Sequence, residues 1–382
     1  MDIQIPPHVF EEFTLELTRH NFNYSVIIDD LQTLLDAEKE ESQKRQKRST
    51  WATNGQEVRD LVGEYGDFNE IMRWIEAKQS SHPSLIHLQD IGRSYEGRSM
   101  RLVRIGSRGR NKPAIWIDSG IHAREWIAPA TSIYIMNELI ESYGIDSNVT
   151  ALMDDFDWYF LPVANPDGYH YSHSMDRFWR KTRSLLRPNW YHQRYRCQGV
   201  DLNRNFDFEW RGHCDSMHCR SRNPCDASYA GSQPFSESES IAVANFILRN
   251  QGALKMYLSL HSYSQMWLTP WGNSRRPPAD YPDLIRVANA AVSALHEVNG
   301  TEYKVGSPAV ILYAAGGGSY DWAKAIANIK YSYTVELRDT GDYGFVLPRR
   351  LVRPVGEETW AGIKAAVEEM KTDTCWVQGV GC

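Results

Sequence analysis

Residues 114–126 read AIWIDSGIHAREW, from Ala114 to Trp126. Ala114–Asp118 is a short apolar run of the kind that forms a buried strand, and it breaks through a glycine into an imidazole and a carboxylate three positions apart. Three more runs share that character: Trp158–Val163 (WYFLPV), Leu254–Leu260 (LKMYLSL) and Tyr331–Glu336 (YSYTVE). Helical patterns lie between and after them. Phe235–Arg249 opens with Ser236-x-x-Glu239, a candidate capping box. Leu284–Glu297 follows, and in Glu357–Lys371 the residues Trp360, Ile363, Val367 and Met370 form a stripe at helical spacing. Strands alternating with helices in this way over about 300 residues specify an α/β layer fold.

The chain has 382 residues, 42% hydrophobic and 24% charged, so it can bury a large core and is not globally disordered. A formal net charge of −6, with no basic face outside one short run, argues against nucleic acid as a partner. No stretch approaches the roughly 18 apolar residues of a membrane span, so no membrane partner is expected. The opening MDIQIPPHVFEEF has no basic segment followed by an apolar one, so it is not an export signal. Six cysteines nevertheless suggest an oxidising, extracellular compartment, and sequons at Asn23, Asn148 and Asn299 agree. The expectation is a secreted monomer whose front end is incomplete.

The one strong break in composition is the charged run from Glu38 to Ser49, which contains two dibasic steps. It reads as a linker that a trypsin-like protease would cut after Arg48, or alternatively as a solvated helix end. Before it, Asp2–Ile5 reads as a strand, Val9, Phe10, Phe13 and Leu17 mark a helical face, Phe22, Tyr24 and Val26 alternate as a second strand, and Leu31, Leu34 and Leu35 begin another helix. The domain division is 1–48, 49–372, and a cysteine-containing tail at 373–382.

In an α/β sheet, polar groups at the carboxyl ends of strands converge on one crevice. His122 and Glu125 follow the first strand, and His261, Ser262 and Tyr263 stand at the end of another. Glu336 ends the last of them, on the face shared by Ser332 and Thr334. Two imidazoles and one carboxylate leave a tetrahedral zinc ion one open position, the arrangement that activates water, and Glu336 is placed to act as general base. Taken singly, His122 and Glu125 read more readily as a surface or N-cap pair than as ligands, and His261 as a satisfied core histidine. Gly316–Gly318 lacks the strand-to-helix context of a phosphate cradle and reads as backbone making room for a side chain. His213-Cys214 and His218-Cys219 leave open a structural zinc site.

The motifs IHAREW (121–126), FWRKTR (178–183), GVDLNRNFD (199–207), LHSYSQ (260–265) and ELRDTGDYGF (336–345), in this order, resemble the zinc metallocarboxypeptidases of the pancreatic carboxypeptidase A/B group. The resemblance extends over residues 55–370, and the residues before Ser49 resemble the second half of that group's activation segment. It implies a mixed twisted β-sheet with helices on both faces, preceded by a partial α+β propeptide that should be poorly held. It also implies one zinc ion on His122, Glu125 and His261, with Glu336 as base and Arg180 stabilising the oxyanion. Asn203 and Arg204 would clamp the substrate's terminal carboxylate, Tyr313 would close over it, and Arg124, Ser262 and Tyr263 would line the cleft. Asp201 would orient His122. Cys197 and Cys225 resemble the group's disulfide; pairing Cys214 with Cys219 and Cys375 with Cys382 would use every thiol, and the connectivity of those four stays open.

In that group the residue before Asp-Trp sets the floor of the specificity pocket, and here it is Tyr320. Leu268, Gly272, Ala315, Gly318 and Thr334 resemble the rest of the lining and bring no charge. The resemblance therefore implies a secreted enzyme that removes apolar, aliphatic or aromatic, C-terminal residues from peptides and proteins and is activated by trypsin-like cleavage. Three other readings stay open: the same enzyme with a different C-terminal residue preference set by Tyr320, a non-catalytic relative that binds C-terminal tails, and a zinc amidohydrolase acting on small acylated amino acids.

Overall fold

The computed structural model describes residues 5–45, 50–53, 56–107, 109, 112–185, 197–212, 219 and 221–373. A hairpin of β1 (Thr50–Thr53) and β2 (Gln56–Arg59) precedes the main sheet. That sheet holds β3 (Ile86–Arg93), β4 (Ser99–Ile105), β5 (Ala114–Ser119), β6 (Asp157–Leu161), β7 (Leu254–Ser262), β8 (Met266–Leu268), β9 (Lys304–Gly306) and β10 (Tyr331–Leu337). The order is β3-β4-β6-β5-β7-β10-β8-β9, eight strands among the described residues. β6, β5, β7 and β10 run parallel, while β3, β4 and β8 bring antiparallel pairing, so the sheet is mixed.

Side chains alternate across a strand, and that alternation divides the core into two layers. Ile115 and Ile117 of β5, Leu258 and Leu260 of β7, and Tyr333, Val335 and Leu337 of β10 face one layer. The helices Phe68–Ser81, Ile127–Ser142, Tyr281–Asn299 and Val352–Lys371 contribute residues to the same layer, among them Trp74, Ile133, Leu284 and Ile363. Trp116 and Tyr257 face the other layer with Phe246 and Ile247 of the Ser238–Asn250 helix and Trp322 of Ser319–Ala325. Helices thus cover both faces, and the predicted stripe of Trp360, Ile363, Val367 and Met370 is buried.

Three local expectations change. Phe22, Tyr24 and Val26 form no strand; they are 63%, 51% and 49% exposed, and no described strand pairs with them. The charged run continues a helix, Leu31–Arg45, so the helix alternative holds for the backbone up to Arg45. Glu, Lys, Gln and Ala favour helix there, and Asp30 accepts the Thr33 amide at the helix start. Finally, the Ser236 capping box does not form: the helix starts at Ser238 with Glu237 before it, Ser236 Oγ donates to the Glu237 carboxylate, and the Glu239 carboxylate accepts the Tyr95 amide instead. Most of Asp2–Ile5, the cleavage position after Arg48, and Cys214, Cys375 and Cys382 lie outside the described residues. Cys197 and Cys225 are joined by a disulfide, and Cys219 is disulfide-bonded as well.

Candidate active site

Strand register brings the chemistry together. β7 lies between β5 and β10, and in the parallel ladders Asp118 is level with Ser259, Ser259 with Thr334, and His261 with Glu336. All these residues lie on the face opposite the Ile117, Leu258, Leu260 and Val335 core. Just beyond β5, the chain turns at Gly120, whose φ of 65° suits glycine, and enters the helix Ile127–Ser142. His122 and Glu125 sit in that connection.

Glu125 joins the two imidazoles. Its Oε1 is 2.8 Å from His122 Nδ1 and its Oε2 is 3.0 Å from His261 Nδ1, with the two Nδ1 atoms 3.1 Å apart. The Ser262 amide also donates to Oε2. All three side chains are buried, and each offers an atom within 4.8 Å of the others'. Zinc held at about 2.0–2.2 Å by nitrogen and carboxylate oxygen suits a cluster of this size. The opposite nitrogens support that fit. His122 Nε2 faces Asp201 Oδ1 at 3.0 Å, an acceptor, so its proton belongs there and Nδ1 turns a lone pair inward. Lone pairs converging on a buried carboxylate are stable with a cation between them.

Arg180 shares Asp201 with His122. Its Nε and Nη2 donate to Oδ2 at 3.2 and 2.8 Å, which leaves Nη1 facing the cluster, 3.8 Å from Glu125 Oε1. Burial alone would raise the Asp201 pKa, but Arg180, His122 and Arg204 hold it well below the usual carboxylate range. Glu125 is likewise held low, its burial outweighed by His122 and His261. Glu336 is different: burial, reinforced by the Glu125 charge and opposed by His261, Arg180 and Arg204, pushes it up to about 7. A carboxyl with a pKa near the working pH exchanges protons readily.

Asn203 and Arg204 follow Asp201 in one short turn, which Asp201 caps by accepting the Asn203 amide. Asn203 Oδ1 accepts the Ser319 amide, and Arg204 Nη1 donates to the Asn203 carbonyl. Arg204 Nε and Arg124 Nε are buried with no hydrogen-bond partner among the described residues, as is Ser262 Oγ. Arg124 stacks 4.1 Å above Phe345, and burial, with Arg180 adding, pushes its pKa down to about 10. Tyr263 meets Phe345 edge-on at 5.0 Å. Tyr313, in contrast, is 55% exposed.

Tyr320 is buried, with its ring between two glycines. A Cβ on Gly272 would lie 2.2 Å from its hydroxyl, and one on Gly318 would lie 3.2 Å from Cε1. The Ala315 amide donates to the Gly272 carbonyl, so Gly272, Ala315 and Gly318 gather around Tyr320, while Thr334 is level with Leu268 in the β10–β8 ladder. Asp321 accepts the Gly272 amide on Oδ2 while Oδ1 has no partner among the described residues; burial raises its pKa to about 8.

Sequence reading missed Arg177, whose guanidinium stacks 3.6 Å over Trp126 and donates to the Arg124 and Phe345 carbonyls. Its Nε and Nη2 also donate to Glu38, at 2.8 and 3.1 Å, tying the Leu31–Arg45 helix to the cleft rim. The signal, an arginine one residue before FWRKTR, was available but has no meaning until Glu38 is placed. Ile27 approaches the same rim, with Cγ2 3.4 Å from the Cβ position of Gly341.

Comparison with known proteins gives a consistent picture. The zinc carboxypeptidase family profile matches residues 71–362, and the carboxypeptidase activation peptide profile matches residues 1–38. Carboxypeptidase B of Astacus astacus is 45% identical over 307 residues, covering 80% of this chain and 97% of that protein. Carboxypeptidase A2 of Mus musculus is 39% identical over 369 residues, covering 97% and 84%. The crystal structure of the carboxypeptidase A from Helicoverpa armigera aligns with a TM-score of 0.84 at 27% identity, covering 97% of this chain and 88% of that one.

The geometry separates ligands from neighbours. Glu125→Ala should weaken zinc binding by at least about tenfold in chelator competition, whereas Glu336→Gln should stay within about twofold of wild type. Equal losses in the two variants would contradict the assignment.

Proposed function

This chain belongs to the zinc carboxypeptidase family, and on that premise we propose that it removes apolar C-terminal residues from peptides and proteins after trypsin-like cleavage of its activation segment. The observation that carries the reading is the placement of Glu336 level with His261, beside the Glu125-bridged imidazoles, in a cleft that also holds Arg204 with an unbonded guanidinium nitrogen. His122, Glu125 and His261 would hold the metal. A bound zinc ion supplies Lewis acidity toward the scissile carbonyl and brings water into a usable pKa range.

The chain's own groups carry the remaining steps. Arg204 and Asn203 bind the substrate's terminal carboxylate; a guanidinium suits it because two N–H groups match two oxygens. Arg124 adds positive charge, and Tyr313, exposed at the cleft mouth, closes over the bound end. Glu336 takes a proton from the attacking water and returns it to the departing amine as the C–N bond breaks. Arg180, held in place by Asp201, meets the negative charge that develops on the carbonyl oxygen.

The floor around Tyr320 supports the apolar preference. Asp321 lies behind it, but burial pushes its pKa up to about 8 and its Oδ2 is already taken by the Gly272 amide, which disfavours it as a counter-charge for a basic side chain. Burying a substrate Lys or Arg there costs several kcal/mol. The Tyr320 ring fills the space that Gly272 and Gly318 leave, which makes the pocket shallow. The Cys197–Cys225 disulfide supports secretion. Contacts of Glu38 and Ile27 at the cleft rim support latency before cleavage.

Blocked dipeptides with varied C-terminal residues, each as free acid and amide, test this reading on the trypsin-treated enzyme. Apolar free acids should be cleaved at least about 100-fold faster than Lys or Arg acids, and amides should resist. Arg204→Ala should lose most of the acid-over-amide preference. A tail-binding protein would cleave none of them, and an amidohydrolase would not need the clamp.

Because the base must be ionised, kcat/KM should fall tenfold per unit as pH drops below the Glu336 pKa. A bound cation lowers that pKa, so the limb should appear at or below about pH 7. A flat profile between pH 4 and 7 would contradict the assignment. Glu336→Gln should abolish most turnover.

Cleavage after Arg48 should raise activity, and Glu38→Ala should raise activity of the uncleaved chain by loosening the Arg177 contact. An unchanged rate after verified cleavage would remove the case for latency.

A further inference from the structure

Each imidazole of the cluster has a buried carboxylate behind it, but the two are connected differently. His122 meets Asp201 directly. Behind His261, the Ser259 Oγ lies 3.1 Å from Nε2 and donates at 2.6 Å to Asp118 Oδ1, while Trp116 Nε1 donates to Asp118 Oδ2 at 2.7 Å. All of these side chains are buried, Asp118 at 1% exposure and Ser259 and Trp116 at 0%. A polar row of this kind inside a strand is costly unless its geometry is used.

We propose that Asp118 and Ser259 form a relay that positions His261 for the metal. The indole N–H can only donate, so Asp118 is the acceptor of that bond. The second carboxylate oxygen takes the single Ser259 proton, which leaves Ser259 Oγ as an acceptor toward His261. Nε2 then carries the hydrogen, and Nδ1 turns its lone pair toward Glu125 and His122. Asn203 Nδ2 approaches Nε2 only to 3.5 Å and, as a donor, cannot accept its proton. Strand register builds the relay, because Asp118 on β5 is level with Ser259 on β7, and His261 lies two residues further along the same face. Asp118 and Ser259 are positioning residues. They act through His261, and the inference rests on His261 being a metal ligand.

Zinc affinity of the full chain, measured by chelator competition, tests it. Ser259→Ala should weaken zinc binding by about tenfold or more, the range seen when groups behind a ligating histidine are removed. Ser259→Thr, which keeps the hydroxyl, should restore it. Asp118→Asn should weaken binding too, and the Asp118→Asn/Ser259→Ala double variant should bind no worse than Ser259→Ala, since Asp118 acts through the hydroxyl. His261→Ala is the control. If His261→Ala loses zinc while Ser259→Ala stays within about twofold of wild type, the relay is wrong and the metal site stands. If His261→Ala binds zinc as wild type does, the metal-site reading fails and takes the relay with it. Losses that add fully in the double variant would also overturn the relay. Ser259→Ala removes one oxygen atom, so it keeps the test usable should the Asp118 variant fail to fold.

Discussion

The site depends on the parallel pairing of β5, β7 and β10 in one register. Side chains alternate along a strand, so a slip of one residue in Tyr331–Leu337 would turn Glu336 into the apolar layer and bring Val335 or Leu337 into the cleft. What prevents the slip is burial: Tyr333, Val335 and Leu337 lie fully within the core on the opposite face. The hydrophobic alternation that holds the sheet together is therefore also what sets His261 beside Glu336 and Asp118 beside Ser259.

Ionic balance is the second constraint. Arg124, Arg180 and Arg204 share a cleft with Glu125, Asp201 and Glu336, and most of these groups are removed from water. Asp201 compensates most of this, because one carboxylate fixes both the His122 ring and the Arg180 guanidinium. Arg124 and Arg204 keep donors without partners among the described residues, which costs folding free energy. On the proposed reading the substrate's carboxylate supplies those partners. Groups fixed before substrate arrives need little reorganisation during reaction.

The sequence carried most of this in its strand ends. AIWID, LKMYLSL and YSYTVE are long enough and apolar enough to be read as buried strands, and each has a polar group for the crevice at or just beyond its carboxyl end. β3, β4, β8 and β9 were not read from sequence, since β3 and β4 mix charge with apolar residues and β8 and β9 are only three residues long. Phe22 to Val26 alternated like a strand, but alternation alone does not supply a pairing partner. Asp118 and Ser259 were visible as polar residues in apolar runs. Their meaning needed the register between two segments separated by more than a hundred residues, which composition and local spacing do not encode. The Arg177–Glu38 pair was hidden for the same reason.

Anomalous diffraction at the zinc absorption edge, on crystals of the zinc-loaded chain, tests the central claim most directly. The account predicts one peak of full strength within bonding distance of His122 Nδ1, a Glu125 carboxylate oxygen and His261 Nδ1, with Glu336 nearby but not coordinated. A peak bonded through Nε2 of either histidine, one that includes Glu336 as a ligand, or none at this position would contradict it.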